Sequence, residues 1–172
     1  MKKALFIGGT GTISSAITRL VAQTPCWELY LLNRGNRSAE VPENVKTIVV
    51  DVNDETAVAN AIEGMEFDVV CDFIGFVTQQ LERDIRLFSG RTKHFMYISS
   101  ASAYQKPLSS PYITEGTPLA NPHWEYSRNK IACEELLMRQ YRENGFPVTI
   151  IRPSHTYCER SIPLAIHGTN GS

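Results

Sequence analysis

The sequence carries no excess of positive charge. Its 17 lysines and arginines are matched by 18 aspartates and glutamates, and they are scattered rather than striped. A general nucleic-acid binder shows a basic face, so nucleic acid is not an expected partner. Cysteine is sparse: Cys26, Cys71, Cys133 and Cys158 lie far apart, with no C-x-x-C pair and no Cys/His ligand spacing. That pattern argues against a zinc site and suits a reducing, cytoplasmic compartment. No apolar run is long enough to span a membrane. The opening "MKKALFIGG" has a charged start, but its apolar stretch ends at once in glycines, so it reads as a first strand rather than a leader. Internal repeats and low-complexity segments are missing too.

What is present is enough for one domain with a core: 172 residues, 42% hydrophobic and 20% charged. Short apolar runs alternate with helical periodicity. Strands are expected at 3–7, 28–32, 45–50, 68–74, 94–100 and 147–153. Helices are expected at 12–22, from an Asp54 cap through Ile62, at 78–88 and at 124–143. A long Pro- and Ser-containing loop covers roughly 105–122. Strict β-α alternation predicts an α/β fold, a doubly wound parallel sheet with helices on both faces. Ligands of such sheets sit at the carboxyl ends of the strands.

"LFIGGTGTIS" places Gly8, Gly9 and Gly11 between the first strand and the first helix. Glycine there lets backbone amides approach a phosphate, and the helix N-terminus adds partial positive charge. Ser14 stands where a third glycine is usual. That position asks mainly for small size, so the loop is expected to work with a small shift. After the second strand comes "LLNRGNRS". Asn33 takes the usual acidic position and Arg34 and Arg37 follow, which suits a 2′-phosphate by charge and fork geometry. NADP is therefore the expected cofactor, with NAD the alternative. Asp51, after the third strand, is placed to accept from an adenine amino group or to cap the next turn. Gly75, after the fourth, lets the chain pass close to a ligand or is a plain turn glycine.

"EYSRNK" sets Tyr126 and Lys130 four apart on one helical face. Tyrosine is a poor base at neutral pH, and a nearby ammonium favours the phenolate. "YISSASAY" puts Ser99 and Ser100 at the end of the fifth strand, where a hydroxyl can hold a substrate oxygen beside the tyrosine. Tyr104 lines that pocket or packs. His155 is placed to face the cleft, whereas His94 and His123 read as surface or packing residues. Glu134 and Glu135 read as charges on the solvated side of the last helix, capping it or pairing with arginines.

"GGTGTIS", "HFMYISSASAY", "EYSRNKIACEELL" and "TIIRPSHTY", in this order and spacing, resemble the extended short-chain dehydrogenase/reductase superfamily, the NAD(P)-dependent epimerases and dehydratases. The resemblance covers almost the whole chain and implies a Rossmann-like fold. It implies that Ser100, Tyr126 and Lys130 are catalytic, with Tyr126 moving the proton while hydride moves to or from the nicotinamide, and with Lys130 also on the nicotinamide ribose. The expected cofactor contacts are Gly8, Thr10, Gly11, Thr12 and Ile13, then Asn33, Arg34 and Arg37, then Gly75 and Ser99, and the resemblance adds Asp51 and Val52 at the adenine and Pro153 beside the nicotinamide. Ser14, "CDFIGF" and "NRGN" depart from the common pattern, and the last is closer to the atypical, isomerase-like and chloroplast RNA-associated branch. The expected substrate is a small molecule, a sugar or nucleotide-sugar among the candidates. Helices 78–88 and 124–143 would form the homodimer interface common in the superfamily. The resemblance also implies a cofactor domain over 1–154 and the start of an incomplete substrate lobe over 155–172. The alternative reading is a dinucleotide-binding or RNA-associated regulatory module that does not turn over.

Overall fold

A computed structural model describes residues 1–36 and 41–157. In chain order they form β1 (Lys2–Ile7), α1 (Ser14–Ala22), β2 (Trp27–Asn33), β3 (Lys46–Val49), α2 (Glu55–Ala61), β4 (Val69–Asp72), α3 (Thr78–Phe88), β5 (Phe95–Ile98), α4 (Glu125–Asn144) and β6 (Val148–Ile151). The six strands make one sheet in the order β3-β2-β1-β4-β5-β6, with every pairing parallel. The order reverses between β1 and β4, so the carboxyl ends of those two strands open a crevice.

β1 shows why both faces of the sheet are covered. Leu5 and Ile7 point into a core shared with Val58 of α2 and Ile62 just after it, Leu81 and Phe88 of α3, and Leu136 and Leu137 of α4. Ala4 and Phe6 point the other way, into a core shared with Ile13, Val21 and Ala22 at α1. A strand buried on both sides must be apolar at every position, which is the pattern of "ALFI".

Helix boundaries follow local chemistry. The Asp54 carboxylate accepts from the Ala57 amide at 2.9 Å and caps α2, as its position predicts. α4 ends where Gly145 turns left-handed at φ 68°. α1 starts at Ser14, two residues later than its periodicity suggests, because the phosphate-type turn runs on through Ile13. The 105–122 segment folds back on itself: Gln105 and Lys106 donate to the carbonyls of Pro118 and Ala120. The 155–172 segment lies mostly outside the described residues.

Candidate active site

The turn after β1 is tied from two sides. Gly8 has φ 81°, and a Cβ there would meet the Ile74 side chain at 2.5 Å, so only glycine fits. Ser14, 1% exposed, accepts from the Gly11 amide at 2.8 Å and donates to the Gly8 carbonyl at 2.7 Å. Buried Thr18 donates to the Gly9 carbonyl at 2.8 Å. Ser14 is thus more than a small residue the loop puts up with. Its hydroxyl closes the turn, which its size alone did not suggest. The first turn of α1 has no side-chain cap and no acidic residue, which leaves this helix end compatible with an anion.

Two cavities meet at this turn and share Gly8, Gly11, Ile74 and Phe76. The larger, about 530 Å³, runs over the ends of β2 and β3 and is lined by Thr10, Asn33, Arg34, Asp51 and Val52 among others. The smaller, about 260 Å³, runs over the ends of β5 and β6 and is lined by Thr12, Ile13, Ser99, Ser100, Tyr126, Lys130 and Pro153 among others. One cleft therefore gathers nearly all the residues expected at the site. Arg37 lies outside the described residues.

At the larger end, the Asn33 carboxamide accepts from the Gly35 amide at 2.8 Å and leaves no carboxylate at the tip of β2. Exposed Arg34 makes no hydrogen bond or ion pair with the described residues. Asp51 accepts from the Asn53 amide at 2.9 Å while lining the cavity, so it holds its own turn and still presents an oxygen.

The smaller end is built around Lys130, which is 1% exposed. Its ammonium donates to the carbonyls of Gly75 and Ile98, each at 2.7 Å. It sits 4.9 Å from the Phe76 ring centre and 5.8 Å from that of Tyr126. Burial pushes its pKa down to about 8, and the nearby Asp72 carboxylate works against that shift. The lysine thus stays mostly charged at neutral pH beside the Tyr126 ring. Tyr126 is half-buried and its hydroxyl has no hydrogen-bond partner among the described residues. Its ring packs against Phe76 (6.3 Å) and Trp124 (4.8 Å). Ser100 accepts from the Ser102 amide at 3.1 Å, which fixes its hydroxyl at the start of a short 3-10 turn in the same cavity.

Several expectations change here. Ser99 lines the cavity, but its hydroxyl is spent on Glu134. Glu134 is not on the solvated side: it is 2% exposed and forked by Arg152, whose Nη2 lies 2.6 Å away. Tyr104 is buried and packs rather than lining the cleft, accepting from Arg152 at 3.2 Å. His155 is exposed and lines neither cavity, although Ser154 and Thr156 on either side line the smaller one. Gly75 stands behind the cleft wall, not on it. A Cβ there would meet the Asp72 carboxylate at 2.2 Å.

Two features went unnoticed in the sequence. Phe76 lines both cavities and covers Lys130. Asp72, inside the apolar run "VVCDFI", is wholly buried with Asp84 and Arg83 beside it. An acid in a buried strand needs partners, and that was the available signal. Among the described residues no cluster of His, Cys, Asp or Glu could hold a metal, and no helix is long and apolar enough to cross a membrane.

The family model described as NAD dependent epimerase/dehydratase family matches residues 4–168. Among solved structures the chain is similar to a UDP-glucose 4-epimerase, with TM-score 0.76 and 17% identity over 88% of this chain and 51% of that one. It is similar to UDP-glucuronic acid 4-epimerase from Bacillus cereus in complex with UDP-glucuronic acid and NAD (TM-score 0.71, 19%, 87% and 55%). It is similar also to dTDP-glucose 4,6-dehydratase from Bacillus anthracis str. Ames in complex with NAD (0.73, 19%, 88% and 54%). At these identities the likeness is one of fold, and the chain spans about half the length of each. No curated protein matched the chain by sequence.

Proposed function

Because the chain belongs to the NAD dependent epimerase/dehydratase family, we propose that it binds a nicotinamide dinucleotide across its β1–β4 crevice and supplies the acid/base set of an epimerase, dehydratase or reductase. The observation that carries this is the single cleft with Gly8 and Gly11 at its middle and the Ser100–Tyr126–Lys130 set at one end. The residues fit the cofactor: a glycine turn whose Cβ space is already filled, a helix start without a side-chain cap, and a larger and a smaller end of the cleft on opposite sides of that turn.

When bound, the nicotinamide supplies the hydride acceptor or donor. The chain's residues do the rest. Thr12, Ile13 and the start of α1 hold the pyrophosphate. Asp51 and Val52 flank the adenine. Ser100 holds the substrate oxygen, and the Tyr126 hydroxyl takes or returns its proton. Lys130 keeps a positive charge beside that ring, which favours the phenolate. With two of its three N–H donors on carbonyls, one remains for a ribose hydroxyl.

NADP is the favoured form. Asn33 leaves no carboxylate to repel a 2′-phosphate, and exposed Arg34 lines that end of the cleft. NAD is the second reading, because the B. cereus epimerase and B. anthracis dehydratase structures hold it. The substrate proposed is a sugar or nucleotide-sugar. Calorimetric titration of this chain with NADPH and with NADH tests the core of the reading. Tighter NADPH binding is expected. Binding of neither would remove the proposal. In the active protein, Tyr126→Phe should lower kcat by at least about 100-fold, the scale of general acid–base catalysis; unchanged turnover would remove the tyrosine's role.

A further inference from the structure

The turn that carries Gly75 and Phe76 rests on a buried acid pair that the proposed chemistry does not use. Asp72 ends β4 and Asp84 lies on the inward face of α3, and both are 0% exposed. Asp72 Oδ1 accepts from the amides of Ile74 (2.8 Å) and Gly75 (3.0 Å). Asp84 Oδ1 accepts from Arg83 Nε (2.8 Å) and Nη2 (2.7 Å). Each acid leaves its buried Oδ2 without a partner, and the two acids act on each other electrostatically. Two bare carboxylate oxygens on neighbouring acids in a dry interior are untenable, and one proton between them satisfies both. Burial pushes both acids up, Asp84 well above the ordinary carboxylate range.

The pair also has an address. The Gly75 carbonyl accepts from Lys130 (2.7 Å) and from the Tyr97 hydroxyl (3.1 Å). Asp72 therefore fixes the turn whose carbonyl seats the lysine, and its charge acts on the same ammonium. Arg83 extends the network to Asn53 (3.1 Å), which lines the larger cavity. The charged or titratable groups acting on the pair are Arg83 from α3, Lys130 and Cys133 from α4, Cys71 from β4 and Tyr97 from β5.

We propose that Asp72 and Asp84 share a single proton, and that this singly charged pair is the positioning element that seats Lys130 beneath Tyr126. The sharing stands alone. The positioning rests on the reading of Tyr126 and Lys130 as the acid/base set. An apolar pair would fill the same space at less electrostatic cost, but it could not bond the Ile74 and Gly75 amides or place a negative charge near Lys130.

The test uses infrared spectra and lysine NMR of the chain without cofactor. At neutral pH the parent should show the carbonyl stretch of a protonated carboxyl, moved by [13C]aspartate labelling. Asp84→Asn mimics the protonated acid, since its carboxamide can donate to Asp72 and accept from Arg83. It should lose the band, keep the fold by circular dichroism and leave the Lys130 midpoint in place. Asp72→Asn leaves the single charge on Asp84 beside Arg83, away from Lys130, and should lower the Lys130 midpoint, read from the 13Cε shift assigned with Lys130→Arg. No labelled band in the parent would overturn the sharing, whether or not either variant folds. A Lys130 midpoint unmoved in folded Asp72→Asn, or displaced equally in Asp84→Asn, would overturn the positioning. Should Asp72→Asn not fold, Asp84→Asn alone decides the positioning by whether the midpoint holds. Failure of the dinucleotide reading shows separately, as absence of NADPH and NADH binding in the parent.

Discussion

Ser14 is bonded in two directions, so its replacement is a test of the turn rather than of size. Ser14→Ala removes the acceptor of the Gly11 amide and the donor to the Gly8 carbonyl in a site that is 1% exposed. Unpaired polar groups of this kind cost about 1–3 kcal/mol. Urea denaturation should show that loss even though alanine has the better helix propensity. A variant as stable as the parent would mean that the hydroxyl only fills space. Lys130 makes a second prediction. Its folded pKa is about 8 against an ordinary 10.5, so between those values the unfolded chain binds more protons than the folded one. Through this group, stability should rise as pH goes from about 8 to about 10.5, and the contribution should be flat below that window. Cys71 and Tyr97 titrate higher than usual in the same fold, so the comparison is with Lys130→Met, which should lack the rise.

At the scale of elements, the β4–α3 turn is the part least open to change. A Cβ on Gly75 would meet Asp72 Oδ2 at 2.2 Å and Leu81 at 2.8 Å, so Gly75→Ala must move the turn or the acid pair. Overpacking of this size costs about 1–3 kcal/mol, and thermal unfolding should show it. If the turn moves, the Gly75 carbonyl leaves Lys130 and dinucleotide affinity should fall with stability. A stable variant with full affinity would show that the turn has slack. This turn also marks where reading from sequence stops working. The strands, α2 and α3 follow from periodicity and capping, which are local. Asp72 and Asp84 are twelve residues apart on different elements, and Glu134 meets Arg152 and Ser99 across eighteen and thirty-five positions. A charge on a helix reads as solvated unless its distant partner is known. The Gly8–Gly11 turn and the Tyr126–Lys130 spacing were legible because their chemistry lies within a few residues.

For the whole molecule, the cleft crosses the ends of strands on both sides of the β1–β4 switch, from Asn33 on β2 to Pro153 beyond β6. A ligand seated there touches both halves of the sheet and binds only the folded chain. Its stabilisation is then set by mass action, about 2.7 kcal/mol at one hundred times Kd. For a domain of this size 1 kcal/mol moves Tm by about 2–4 °C, so NADPH at that excess should raise Tm by roughly 5–11 °C. The size of the rise reports affinity, and its dependence on one residue reports which end of the cleft is read. Arg34 is exposed at the β2 end, without an ion-pair partner among the described residues. Arg34→Ala should therefore leave the apo Tm nearly unchanged and shrink the rise with NADPH while sparing that with NADH. Equal shrinkage for both would place Arg34 on a part common to the two cofactors, and the preference for the 2′-phosphate would then have no residue among those described to carry it.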